Sequence, residues 1–169
     1  MKQKRVFRLL AIAVLGLLLV IPVNAWAAKK ANFSGEWVLN ESKSELGEGR
    51  MFSPTKMTVQ QEGNSITLER TRTGREGEER TSKEVLTLDG KESINKSENR
   101  TSTSTAAWSK DGKSLTIQTN TVFDRQGETF EMKSTEVWTM EEDGKILTVQ
   151  SDSTSPRGER SVKLVYDKK

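Results

Sequence analysis

The sequence predicts an all-β domain folded as an up-and-down antiparallel β-barrel of about 8–10 strands, preceded by a cleavable signal helix. Three observations lead there. From Phe33 onward apolar and polar residues alternate with a period of two, 35 Ser and Thr residues are interspersed, and almost no stretch spaces its apolar residues for a helix. Tight-turn chemistry recurs at Glu62-Gly63-Asn64, Asp89-Gly90-Lys91, Asp111-Gly112-Lys113 and Asp143-Gly144-Lys145, where Gly or Asn supplies the positive φ that short hairpins demand. One hairpin unit is repeated: the stretch from Trp108 to Thr119 returns from Trp138 to Ser151 with two extra residues before its turn.

The elements follow in order. Residues 1–27 read as a signal peptide, with Lys2, Lys4, Arg5 and Arg8 as a basic head, Leu9 to Val23 as an apolar body and Ala25-Trp26-Ala27 as a small-x-small cleavage site. The apolar body is 15 residues long, short of the roughly 20 that span a bilayer, so no stable membrane span is expected after cleavage. An uncleaved anchor stays open as the alternative. Residues 28–169 form the domain. Its strands are expected at 33–39, 56–61, 65–73, 79–88, 91–98, 101–109, 114–123, 128–140, 145–153 and 160–166, each carrying one apolar face. A meander of this kind removes its exposed edges by closing on itself. A two-sheet sandwich is the alternative, but it needs crossing connections that the even punctuation does not supply.

Charge and composition exclude several functions. The whole chain has a formal charge of +3, with 27 Lys and Arg against 24 Asp and Glu. Without the signal's four basic residues the balance is 23 against 24, so the surplus a nucleic-acid partner would need is missing. Cys and His are absent, which removes thiolate nucleophiles, Ser-His-Asp triads, disulfides and metal sites built on sulfur or imidazole. Carboxylates and hydroxyls alone remain for chemistry. Asp143 with Glu141 and Glu142 matches a hairpin turn better than a calcium loop. No cofactor, metal site or catalytic residue is expected, although Glu136 inside the barrel as a lone acid or base remains the enzymatic alternative.

Alternation places 24 apolar residues inward, among them Phe33, Trp37, Ile94, Trp108, Phe123, Phe130, Met132, Trp138, Leu147 and Tyr166. It also turns polar groups inward: Arg70, Arg72, Thr119, Thr121, Ser134, Glu136, Ser151, Ser153 and Arg160 share parity with apolar neighbours. The interior is therefore expected to be wet at one end. In a meander the turns alternate between ends, so the four tight turns gather at one. Segments 40–55, 74–78, 99–100, 124–127 and 154–159 gather at the other. Eight of the nine arginines outside the signal lie in or beside that second set, and Arg50 lies within its first loop. Arginine's planar donor fork suits carboxylates and phosphates, so this end is expected to attract anions. Glu76, Glu78, Glu79, Glu128 and Glu159 accompany these arginines, and a self-neutralising rim that binds nothing is the competing reading.

The opening Phe33-Ser34-Gly35-Glu36-Trp37-Val38-Leu39-Asn40, with Lys43-Ser44, resembles the start of bacterial exported lipocalin-like proteins in the calycin superfamily, which includes lipocalins and fatty-acid-binding proteins. With ten strands and a segment inserted after the first, the chain looks more like the fatty-acid-binding branch, and the resemblance places two short helices within residues 40–55. That branch uses an Arg and a Tyr from a late Arg-Val-Tyr run on its ligand's carboxylate; here the run is Leu164-Val165-Tyr166, which keeps only the Tyr. The resemblance implies an exported, monomeric, non-catalytic carrier in the periplasm or outside the cell. Its expected ligand is a small amphiphilic, anionic molecule, held by Arg70, Arg72, Phe123, Phe130, Met132, Glu136, Arg160 and Tyr166. A filled barrel acting through its surface, as an envelope interaction or stress protein, is the alternative.

Overall fold

The computed structural model describes residues 29–47, 53–74, 76–125 and 127–169. The signal segment 1–27, Arg50, Arg75 and the side chain of Arg125 lie outside these residues. Ten strands follow one another: β1 (Gly35–Leu39), β2 (Lys56–Glu62), β3 (Ser65–Thr73), β4 (Glu79–Thr87), β5 (Glu92–Ser97), β6 (Arg100–Trp108), β7 (Ser114–Arg125), β8 (Glu128–Glu141), β9 (Ile146–Ser155) and β10 (Gly158–Lys168). They form one antiparallel sheet in the order β4-β3-β2-β1-β10-β9-β8-β7-β6-β5. Chain neighbours pair throughout, except that β1 pairs with β10 and β4 makes no ladder with β5. The result is a nearly closed up-and-down barrel, and the sandwich is excluded.

The open seam between β4 and β5 is laced by side chains in place of a backbone ladder. Asn95 accepts a hydrogen bond from the Val85 amide through Oδ1 (2.9 Å) and donates to the Val85 carbonyl through Nδ2 (3.0 Å). Ser93 Oγ accepts from the Thr87 amide at 2.9 Å. This lacing corrects one expectation. Alternation places Ile94 in the interior, yet it is 60% exposed, and Ser93 is buried in its place. An amide and a hydroxyl can satisfy the unpaired groups of an edge strand, whereas an aliphatic side chain cannot.

The tight-turn end of the barrel is filled. Phe33, fully buried, stacks on Trp108 with centroids 5.7 Å apart and meets Trp138 edge-on at 5.6 Å. The Trp37 indole N–H donates to the Phe33 carbonyl (2.9 Å), and Ile66, Leu68, Leu86, Leu115, Leu147 and Tyr166 close around this cluster. Burial of each large side chain contributes about 1.5–3 kcal/mol. Trp37 is thus a floor plug, as is Trp138. Gly35 beside it sits at φ 145°, a backbone conformation that suits glycine. Asp89 and Asp111 fold their own turns by accepting from the amides of Lys91 (3.2 Å) and Lys113 (3.1 Å).

The segment after β1 departs from the fatty-acid-binding pattern. Among the described residues it contains no α-helix. Residues 40–46 instead continue along β10: the Asn40 amide donates to the Val165 carbonyl, and Glu45 exchanges backbone hydrogen bonds with Lys163 at 2.8 and 3.0 Å. A stretch bound this way extends the short β1. No described helix is long and apolar enough to cross a membrane.

Candidate functional site

At mid-height a line of charged side chains crosses the barrel. Arg70 on β3 donates through Nη2 to Glu136 Oε2 on β8 (2.7 Å) and through Nη1 to Glu84 Oε2 on β4 (3.3 Å). Arg100 on β6 reaches over the short β5 and donates to the other Glu84 oxygen at 2.8 Å. In the sheet order four strands separate β3 from β8 in either direction, so the Arg70–Glu136 pair joins opposite walls. The side chains of Arg70, Glu84 and Glu136 are only 14%, 12% and 21% exposed. Trp138 Nε1 donates to Glu136 Oε2 at 2.9 Å, and the Arg70 guanidinium lies 5.8 Å from the Trp138 ring centroid.

Local sequence explains the placement. On β3 the residues Ile66, Leu68, Arg70 and Arg72 share one face, the first two buried in the core. On β8 Glu136 precedes buried Trp138 by one period of the pleat. Two arginines and two carboxylates make the strut neutral. Burial alone would lower the Arg70 pKa, but the Glu136 and Glu84 carboxylates outweigh it and the net direction is upward. The strut divides the interior into a filled apolar half and a polar half under the long loops.

The eight residues expected to bind ligand separate into five groups. Arg70 and Glu136 belong to the strut, occupied with each other. Tyr166 belongs to the core: its hydroxyl donates to the Pro54 carbonyl at 3.1 Å, and burial first, with Glu136 adding to it, raises its pKa against the opposing pull of Arg70 and Arg72. Phe123 and Phe130 stand opposite each other on β7 and β8, stacked with centroids 5.6 Å apart, half-buried above the strut, and Met132 lies one pleat period along β8. Arg160 lies in an open groove of about 560 Å³ at the upper ends of β8, β9 and β10, together with Ser134, Ser153, Asp152 and Glu159. Arg70, Arg72 and Tyr166 do not line that groove.

Arg72 stands alone. It shares the inward parity of Arg70, lies one pleat period nearer the loops, and makes no ion pair or hydrogen bond among the described residues. Its pKa is lowered by burial first and then by repulsion from Arg70 and Arg100. Solvent nevertheless reaches it, so the lumen above the strut is wet.

Sequence reasoning missed Glu84 as the second carboxylate beside Glu136. The signal was present: Glu84 shares parity with buried Leu86 and Leu88. Both carboxylates are engaged by arginine and form no open acid–base pair. Among the described residues no cluster of three metal-ligating side chains occurs.

No family model matches the chain, and no curated protein matches it. Among solved structures it is similar to a zebrafish ileal bile acid-binding protein complexed with cholic acid, at 17% identity and a TM-score of 0.40, over 81% of this chain and 98% of that one.

Proposed function

We propose that this chain is an exported, non-catalytic β-barrel that takes a small amphiphilic anion into the half of its interior above the strut. The observation that carries the reading is Arg72, a solvent-exposed guanidinium at the rim that makes no ion pair or hydrogen bond among the described residues, on a barrel whose upper walls also bear the Phe123–Phe130 stack and Met132. Guanidinium and aromatic walls together suit a molecule with one charged and one apolar end. Export to the periplasm or beyond is supported by the signal-like pattern of residues 1–27, and a chain without cysteine suits that compartment without disulfides. The test is native mass spectrometry of protein purified gently from an envelope fraction, compared with its denatured mass. A reproducible excess mass that vanishes on denaturation, and whose composition is amphiphilic and anionic, is expected.

One observation favours the second reading, a filled barrel that works through its surface. The Arg70–Glu136 strut crosses the barrel and the aromatic floor fills the end beneath it. A bare mass that persists after incubation with mixed lipid extract would establish that reading.

A further inference from the structure

We propose that the outer face formed by β5, β6 and β7 is where a second copy of this chain docks. The face is identified by its lack of charge. Thr101, Thr103 and Thr105 on β6 alternate with buried Ser102, Ser104 and Ala106, and they stand opposite Val122, Asn120 and Gln118 on β7. No outward residue of β6, or of β7 as far as Val122, is charged, whereas every other strand has Asp, Glu or Lys among its outward positions. Apolar groups gather there as well. Among the described residues four large hydrophobic side chains are exposed, and three of them border this face: Ile94 (60%), which pairs with Thr103, Val122 (37%), and Val85 (45%) across the seam. The lacing that takes Ser93 inward leaves Ile94 outward, so its exposure is built into the barrel.

Charge names the occupant. Interfaces are depleted of charge at their centre and polar at their rim. Here the rim has both signs, with Lys83, Glu92 and Lys96 on one side and Glu131, Lys133 and Asp152 on the other. These cancel, so the face has no surplus to draw a polyanion or an anionic bilayer. A partner must bring an uncharged centre of its own, because a charge buried against threonine and valine would lose its water without gaining a counter-ion. The same face of a second copy meets that requirement, and a twofold pair presents it from both sides. Size sets the strength. With strands about 4.8 Å apart and about 3.4 Å per residue, the face between β4 and β8 is roughly 20 Å wide and roughly 25 Å tall, on the order of 500 Å² a side. Stable pairs bury about 800 Å² a side or more, and a convex wall touches only through its middle. The pair is therefore weak and exchanging, with Kd on the order of 100 µM.

Sedimentation equilibrium of the mature chain from about 5 to about 500 µM reads the association directly, and the weight-average mass is expected to climb from the monomer's toward twice that value. Ile94→Lys combined with Val122→Lys sets charge into the face and should hold the mass at the monomer's across the range, a loss of roughly tenfold or more in affinity. Both positions are exposed, and an unchanged urea midpoint shows that the fold is intact. Val38→Lys is the matched control. Val38 is a comparably exposed valine (42%) on β1, which stands opposite β6 in the sheet order, and its variant should associate as the parent does. Because the centre holds no charge, raising salt from about 0.05 to about 0.5 M should change Kd less than about twofold. A parent chain that stays monomeric at the top of the range, a double variant that still associates, a Val38→Lys variant that does not, or a dimer that salt dissolves would each overturn the proposal. None of these outcomes bears on ligand uptake through the upper rim.

Discussion

Replacing Glu136 by Gln tests the strut as a structural element. The change keeps shape and an acceptor for Trp138, but it removes the negative charge 2.7 Å from Arg70 and leaves that guanidinium with Glu84 alone at 3.3 Å. A neutral group of four becomes a group carrying +1, with Arg72 nearby to add repulsion. Breaking a buried pair on one side costs about 3–5 kcal/mol, because the remaining charge stays desolvated. Glu136 is a fifth exposed and glutamine retains a hydrogen bond, which brings the expectation to about 2–3 kcal/mol. For a domain of this size that lowers Tm by about 6–10 °C. The assay is urea unfolding followed by tryptophan fluorescence, with Trp138 bonded to the substituted side chain as reporter; the midpoint should fall at constant slope. The double variant Arg70→Met, Glu136→Leu should lose less than Glu136→Gln, because Glu84 and Arg100 remain a balanced pair and the crossing becomes apolar. A cost below about 1 kcal/mol for Glu136→Gln, or a double variant as damaging as the sum of its singles, would refute the account of the strut.

Three further outcomes are expected. The chain has one tyrosine, and its folded pKa is raised, chiefly by burial; stability from Tyr166 is complete below the unfolded value near pH 10 and is lost as pH rises toward the folded one, so absorbance at 295 nm should rise together with loss of the far-ultraviolet β-sheet signal. Ionisation of Tyr166 in an intact barrel would contradict its placement. Asn95→Ala removes both side-chain partners of Val85 and should cost about 1–2 kcal/mol, with faster hydrogen exchange at the Val85 amide; unchanged protection there would mean the seam closes by other means. Phe33→Ala opens a cavity between Trp108 and Trp138 and should cost about 3–5 kcal/mol, measured as the shift in urea midpoint, and a loss under 1 kcal/mol would remove Phe33 from the floor.

Much of the barrel was legible along the chain because strand patterning is local. Period-two alternation and Asp-Gly turns are set by neighbouring residues, so the strand boundaries, the inward parity of Arg70, Arg72 and Glu136, and the aromatic floor could be read without knowing what lies across the lumen. Ile94 shows the limit. Its side was decided by the failure of β4 and β5 to pair, a long-range matter of closing the sheet that leaves backbone groups for Ser93 and Asn95 to satisfy. The segment after β1 is similar: whether residues 40–46 coil into a helix or run beside β10 depends on the edge that β10 leaves free, a feature distant in sequence.

For the site the division is sharper. The sequence by itself determined that charged side chains would enter the barrel and that arginines would crowd one end, since parity and turn order follow from the chain alone. Only the tertiary structure decided which arginines are free. Arg70 and Arg72 are two residues apart on one strand and share its inward parity, yet β8 and β4 bring Glu136 and Glu84 into contact with the first and, among the described residues, no ion-pair partner to the second. Ion pairing across a closed sheet depends on which walls face each other, and strands five places apart around the barrel meet only once it has closed.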